Sequence, residues 1–358
     1  MRDPIWVLMS ELKKRMKNKF LLFTVLVFSV IPVFSQNATD EFNMLFYNVE
    51  NLFDISDDPL TQDDEYTPEG DRRWTWKRMN KKIVDISKVL LNSTGWNPPD
   101  IIGLCEIENR FVLEKLISQS PLKTCSYKII HKESPDDRGI DIAFLYNSNT
   151  FNPIEYRYIP LSDKEGKMIR TREILYVCGI LHSLDTLHLF FNHWPSRFGG
   201  LLESRPARHT AALTLRTEIE LLHKKHSNPK VIIAGDFNDQ PDDQSLLQTL
   251  GALPPSGTCS KSTLYNLSFP WMNDEIKTIK FQSQWSVFDQ IIVSGALLDK
   301  NEQVYTRPEW AQVVKLPFLL EDDPTYGGKR IRRTYTGFKY NGGFSDHLPV
   351  VLKVAVNF

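Results

Sequence analysis

From Phe42 onward, short apolar runs alternate with turn-rich breaks: "NMLFYNV", "DIIGLCEI", "SYKII", "IDIAFLYN", "ILYVCGIL", "LHLFFNHW", "KVIIAGDF", "DQIIVSG" and "HLPVVLKVAV". They have the length of strands and are rich in β-branched and aromatic residues, which suit a pleated, half-buried surface. Four segments between them read as helices: "WKRMNKKIVDISKVLL" from Trp76, "NRFVLEKLISQS" from Asn109, "ESRPARHTAALTLRTEIELLHKK" from Glu203 and "DDQSLLQTLGAL" from Asp242. In the first, Met79, Ile83, Ile86 and Leu90 recur at steps of three or four and mark one buried face. Strands dominate and the helices are spread among them, an order that predicts packed sheets with helices outside. No repeat or low-complexity linker interrupts residues 40–358, so one domain is expected there. The acidic stretch Asp54 to Arg73 reads as a long solvated loop.

Residues 1–35 follow a different pattern. A basic run from Lys13 to Lys19 precedes the apolar stretch Phe20 to Ile31 and then "PVFSQ", with small residues before Gln36. This reads as a signal peptide, with residues 1–15 an upstream extension and Met16 a typical start. The apolar stretch is 12 residues long, short of the ~20 that a spanning helix needs, so no stable membrane anchor is expected. The predicted location is outside the cytoplasm, periplasmic or secreted.

Composition adds two constraints. The chain has 358 residues, 41% hydrophobic and 24% charged, the balance of a folded globular protein. Without residues 1–35 it carries 37 basic against 42 acidic side chains. Bulk positive charge therefore does not hold a polyanion here, and any such substrate must meet local arginines or a bound cation. Cys105, Cys125, Cys178 and Cys259 form no C-x-x-C pair, and Cys105 and Cys178 sit in apolar runs as expected buried thiols.

The candidate chemistry stands at the ends of the predicted strands. Asn48 and Glu50 follow "MLFY", Glu106 follows "IIGLC", His193 follows "LHLFFN", and Asp236 and Asn238 follow "VIIAG". Asp289 opens "QIIVS", while Asp346 and His347 precede "LPVVL". Singly, each has an ordinary reading: an Asp or Asn after a strand forms turns, and a lone histidine among apolar residues packs in the core. Glu106 is harder to dismiss, because a glutamate against the core loses hydration unless paired or bound to a cation.

Together, "FYNVENLF", "GLCEIEN", "NHWPS", "GDFND", "FDQIIVS" and "SDHLPVVL" resemble, in order, the motifs of the endonuclease/exonuclease/phosphatase superfamily of metal-dependent phosphodiesterases. The resemblance covers the chain from about residue 43 to its end. It implies a four-layer αββα sandwich of two mostly antiparallel sheets with helices on both outer faces. It also implies Mg2+ or Mn2+ held by Glu106 with Asp346 and Asn48 close by, suiting an ion that keeps much of its hydration. Asp236 would orient or deprotonate water, Asn238 would donate to a phosphate oxygen, and His347 would contact the phosphate with Asp289 behind it. His193 is the second imidazole of the deoxyribonuclease-like branch.

Asp141 is the candidate acidic partner of His193, and Arg138 and Arg197 are candidate phosphate contacts; for Arg138 and Asp141 a surface ion pair is the competing reading. Arg170, Arg172, Arg205 and Arg208 are weaker groove candidates. The implied function is an exported phosphodiesterase, a nuclease acting on DNA or RNA, expected as a monomer. The alternatives are hydrolysis of a lipid or sugar phosphate, and a non-catalytic binding protein on the same fold. No apolar hairpin for membrane insertion is legible.

Overall fold

The computed structural model describes residues 8–16, 39–163, 165–182 and 185–357. The chain divides into two units, residues 1–39 with residue 358, and residues 40–357. In the first, residues 8–16 form helix α1 with every side chain exposed. The rest of the expected signal segment lies outside the described residues. Among the described residues no helix is long and apolar enough to cross a membrane.

The second unit is built on two seven-stranded sheets. The first runs β14 (Val304–Tyr305), β20 (Val350–Asn357), β1 (Thr39–Leu52), β2 (Ile101–Ile107), β4 (Asp141–Asn147), β3 (Tyr127–His131), with β15 (Ala311–Val313) also on β20. The second runs β5 (Phe151–Ile159), β6 (Ile174–Leu181), β7 (Asp185–His193), β8 (Lys230–Asp236), β13 (Asp289–Ser294), β10 (Leu264–Asn266), β9 (Ala252–Leu253). Most pairings are antiparallel, but β1 with β2, β7 with β8 and β9 with β10 are parallel. Three hairpins complete the strands: β11–β12 (Ile279–Phe281, Gln284–Ser286), β16–β17 (Leu320–Asp322, Lys329–Ile331) and β18–β19 (Tyr335–Thr336, Lys339–Tyr340).

Strand alternation creates three apolar layers. On β8, Ile232 and Ala234 face the core between the sheets, while Val231 and Ile233 face a helix. That helix, α4 (Leu201–Lys225), buries Ala211, Ala212, Leu215, Ile219 and Leu222. On β1, Met44 and Phe46 point inward and Leu45 and Tyr47 outward. The outward face is covered by α2 (Trp76–Asn92) and α3 (Arg110–Gln119), the latter capped by Asn109, whose side chain accepts from the Val112 N–H. The result is the four-layer αββα sandwich.

Two elements differ from the pattern. The helix expected from Asp242 shrinks to a six-residue π-helical turn, Ser245–Leu250, because Gly251 at φ 74° ends it. β5 was not legible: it is an edge strand in which only Phe151 and Ile159 are buried, and Pro153 sits at a register slip, so it lacks strand-like alternation.

Candidate active site

Local irregularities bring the first sheet's polar residues to its end. Along β2, Leu104 and Ile107 both face the outer helices and Cys105 faces the inner core, so Glu106 is an extra residue at a bulge. β1 slips in register between Asn48 and Leu52. Of nine described non-glycine residues with positive φ, four lie here: Glu50 (53°), Asn51 (60°), Glu106 (63°) and Asn238 (52°). Such conformations cost free energy, and their clustering at one end of the sandwich marks a site held by its surroundings.

The second sheet contributes in register. Parallel pairing of β7 and β8 sets His193 beside Asp236, and antiparallel pairing of β8 and β13 sets Asp289 on its other side. The polar end of "VIIAGDFN" thus projects where the two sheets meet. The Asn48 side-chain amide donates across the gap to Asp236 Oδ2 at 3.1 Å and lies 3.4 Å from Glu106 Oε1. His347 enters from the segment before β20, where Ser345 Oγ donates to the Asn48 carbonyl and accepts from the His347 N–H.

Asp236 Oδ2 is the hub. The Nε2 atoms of His193 and His347 each lie 3.7 Å from it, while Oδ1 accepts from the Asn238 N–H at 3.0 Å. Burial first, with Asp289 adding to it, raises the Asp236 carboxyl to about 6, although His347 opposes the shift. The two imidazoles diverge. Burial opposes charge on His347, yet Asp289, 2.7 Å from Nδ1, together with Asp236, outweighs it and holds His347 well above its usual range. His193 is pushed well below its usual range by burial and then by Arg172 and Arg138. One imidazole is held charged and its neighbour neutral, both within reach of one carboxylate.

The sequence candidates for the centre converge: Asn48, Glu106, His193, Asp236, Asn238, Asp289 and His347 form one connected cluster, and Asp346 Oδ1 lies 4.0 Å from His347 Nε2. Arg138 also arrives, donating to the Asn51 side chain at 2.7 Å, while the Asn51 N–H donates to Glu106. Two candidates are corrected. Asp141 does not partner His193: its carboxylate is engaged by His131 Nε2 at 2.8 Å and the Ser134 N–H at 2.7 Å. His193 Nδ1 is buried without a hydrogen-bond partner among the described residues.

Arg197 is no open phosphate clamp. It donates to the Asn238 carbonyl and pairs with Asp239 and Asp243, fixing the turn after β8 from behind. Among the weaker groove candidates, Arg208 is fully buried on Asp239, and Arg172 is buried against Asp136 and the Trp194 carbonyl. All four cysteines are free; Cys105 is buried and Cys178 only partly so.

Sequence reasoning missed a second polar layer. Glu50, 5% exposed, accepts from Arg333 Nε and from the N–H groups of Thr334 and Tyr335. Arg333 Nη2 donates to Asp346 Oδ2 at 2.9 Å. Lys82, 2% exposed, donates to Thr334 Oγ1 and the Phe344 carbonyl, and burial pushes its ammonium down to about 8. Lys82 had a signal: it falls on the apolar face of α2, where a lysine needs a buried partner.

Among the described residues no group of three or more His, Cys, Asp or Glu side chains is arranged as a metal cage. The oxygen donors present are the Glu106 and Asp346 carboxylates; the Asn48 side-chain oxygen accepts from the Glu50 N–H at 3.0 Å, and its nitrogen faces Glu106. That oxygen set fits a hard cation held through one or two carboxylates and its own waters.

A family model described as "Endonuclease/Exonuclease/phosphatase family" matches residues 43–356. Among solved structures, an endonuclease/exonuclease/phosphatase family protein from Bacteroides thetaiotaomicron is 15% identical with a TM-score of 0.54, covering 90% of this chain and 100% of its own. A D. rerio TDP2 humanized by 14 mutations is 15% identical with a TM-score of 0.53, covering 88% and 98%. The human nocturnin catalytic domain with bound sulfate is 14% identical with a TM-score of 0.52, covering 90% and 98%. A probable glutamate carboxypeptidase AMP1 of Arabidopsis thaliana is 31% identical over 126 residues, which is 34% of this chain and only 17% of that protein.

Proposed function

The chain belongs to the endonuclease/exonuclease/phosphatase family, and from that premise we propose that it is an exported, Mg2+- or Mn2+-dependent phosphodiesterase cleaving DNA or RNA. Phosphoester hydrolysis is the chemistry of the family. The observation that carries the reading to this chain is the convergence on Asp236 Oδ2 of Asn48, His193 and His347, drawn from both sheets.

The cluster's own groups account for an in-line displacement. Asp236 holds a water and accepts its proton, the Asn238 N–H having fixed the other carboxylate oxygen. The water oxygen bonds to phosphorus as the bond to the leaving ester oxygen breaks, and that oxygen takes a proton from solvent. The charged His347 donates to the non-bridging oxygens, where negative charge collects, and so does the Asn238 side-chain nitrogen through the hydrogen not given to the Trp194 carbonyl. A cation on Glu106, with Asn48 and Asp346 nearby, would supply further neutralisation of the phosphoryl group. His193, neutral beside the carboxylate, offers a donor without repelling His347. Asp289 fixes the imidazole that bears on the phosphate.

One observation favours the second reading, hydrolysis of a lipid phosphate. Phe198 is 94% exposed and Leu202 68%, in the segment that begins at His193 and continues into α4. This apolar rim was not legible as a hairpin in the sequence. A non-catalytic protein is the least favoured, because every residue the chemistry needs is present and assembled.

Supercoiled plasmid, sphingomyelin vesicles and bis(p-nitrophenyl) phosphate, each with Mg2+ or EDTA, separate the readings. Mg2+-dependent nicking that Asp236→Asn abolishes is expected. Vesicle hydrolysis without nicking would move the assignment to lipid, and no turnover of any substrate would leave the binding reading.

A further inference from the structure

The buried layer behind the site has one half-buried member, Arg333. Glu50 and Lys82 are both almost fully buried, and burying an unpaired charge is costly. Their contacts converge on one short segment: Glu50 takes the N–H groups of Thr334 and Tyr335, and Lys82 takes the Thr334 hydroxyl at 2.6 Å. That segment carries Arg333. The guanidinium is gripped on two edges, Nε at 3.4 Å from Glu50 Oε1 and Nη2 at 2.9 Å from Asp346 Oδ2. Its side chain is nevertheless 42% exposed, and among the described residues Nη1 has no hydrogen-bond partner.

Asp346 Oδ1 lies 4.0 Å from His347 Nε2, so the guanidinium stands one carboxylate away from the imidazole assigned to the phosphate. A planar cation oriented by two carboxylates, with Nη1 left free, suits an oxyanion. Much of the lysine–glutamate layer then has a purpose beyond stability, since it holds a 14-residue sequence neighbour of His347 at a fixed place in the site.

We propose that Arg333 contacts the substrate, donating from Nη1 to a phosphoryl oxygen, with Glu50 and Lys82 as positioning residues. This rests on the phosphodiesterase reading and adds a cationic group that none of the chain's recognised motifs contains. Removing one donor of this kind lowers turnover by about 100-fold or more.

The test uses the full chain and bis(p-nitrophenyl) phosphate with Mg2+. Arg333→Gln is expected to lose about 100-fold in kcat/KM, Arg333→Lys to recover part of it, and millimolar guanidinium to restore Arg333→Ala. Inorganic phosphate should inhibit Arg333→Gln more weakly than the parent, a readout that a packing role would not move. Glu50→Gln should lower kcat/KM without gaining from guanidinium. If Arg333→Gln keeps kcat/KM within threefold while Asp236→Asn is inactive, the proposal falls and the phosphodiesterase reading stands. If Asp236→Asn is as active as the parent, the reading itself fails. Should Arg333→Gln not fold, phosphate inhibition of Arg333→Lys decides: a constant equal to the parent's overturns the proposal, and a weaker one supports it.

Discussion

Asp289→Asn isolates the charge behind His347 from its geometry. Asp289 is fully buried, and its Oδ2 meets His347 Nδ1 at 2.7 Å while Oδ1 has no hydrogen-bond partner among the described residues. An asparagine can keep its carbonyl on the imidazole and place its NH2 where Oδ1 now stands, so shape and acceptor survive and only the charge is lost. A hydrogen bond to a charged group contributes about 1.5–3 kcal/mol and a neutral one about 0.5–1.5, a difference of about 1–2 kcal/mol in favour of the imidazolium.

Because about 1.4 kcal/mol is tenfold, the protonation equilibrium of His347 should fall by roughly that factor. The direction follows from the causes: burial already disfavours the charged form, and Asp236 and Asp346 would remain to offset it. A raised histidine stabilises the fold below its unfolded pKa and loses that contribution as pH rises through its folded pKa. The variant should therefore lose stability relative to the parent at pH 6 and converge with it at high pH. Imidazole NMR titration and urea midpoints at the two pH values measure both effects, and kcat/KM should fall most on the alkaline side. An unchanged His347 titration with parental activity would refute the assignment of Asp289 as its orienting partner.

Glu106→Gln keeps the side-chain volume but removes the charge expected to face the cation. Half-saturation should move to higher Mg2+ in activity and in calorimetric titration, and an unaltered metal response would remove Glu106 from the ligand set. His188, far along β7 from His193, is lowered to about 4 by burial and then by His226, with Asp185 opposing. Its unfolded form takes a proton near 6.5 and its folded form does not, so stability falls as pH drops from 6.5 towards 4, by at most about 2 kcal/mol between pH 7 and 5. His188→Gln should keep a partner for the Tyr176 hydroxyl, 2.8 Å from Nδ1, and flatten that dependence in urea midpoints; an equal slope in both proteins would exclude His188 as its source.

What the sequence disclosed divides along a physical line. Strands buried on one or both faces advertise themselves through apolar runs, whereas β5, exposed over most of its length, does not. Asn48, Glu106, Asp236, Asp289 and His347 were legible because each breaks or bounds an apolar run with a group that the core would otherwise exclude. Which partner each would find was not, since pairing is set by register. Asp141 met His131 because β3 and β4 lie antiparallel and place His131 opposite Ala143, a choice that no local spacing around Arg138 encodes.

The same reasoning explains why the Glu50–Lys82–Arg333 layer stayed hidden although one of its members was visible. Lys82 sits three residues from Met79 on a mostly apolar face, which says that a buried ammonium must be satisfied somewhere. Its partners, Thr334 and Phe344, are about 250 residues away in a segment without helical or strand periodicity. A buried lysine in a sequence thus reports that a polar layer exists, and only the fold reports what that layer holds. Here it holds Arg333 against Asp346, so a lysine on α2 and an arginine beside Asp346 belong to one electrostatic unit. Substitutions at Lys82 should accordingly act on substrate turnover through Arg333 rather than on the stability of α2 alone.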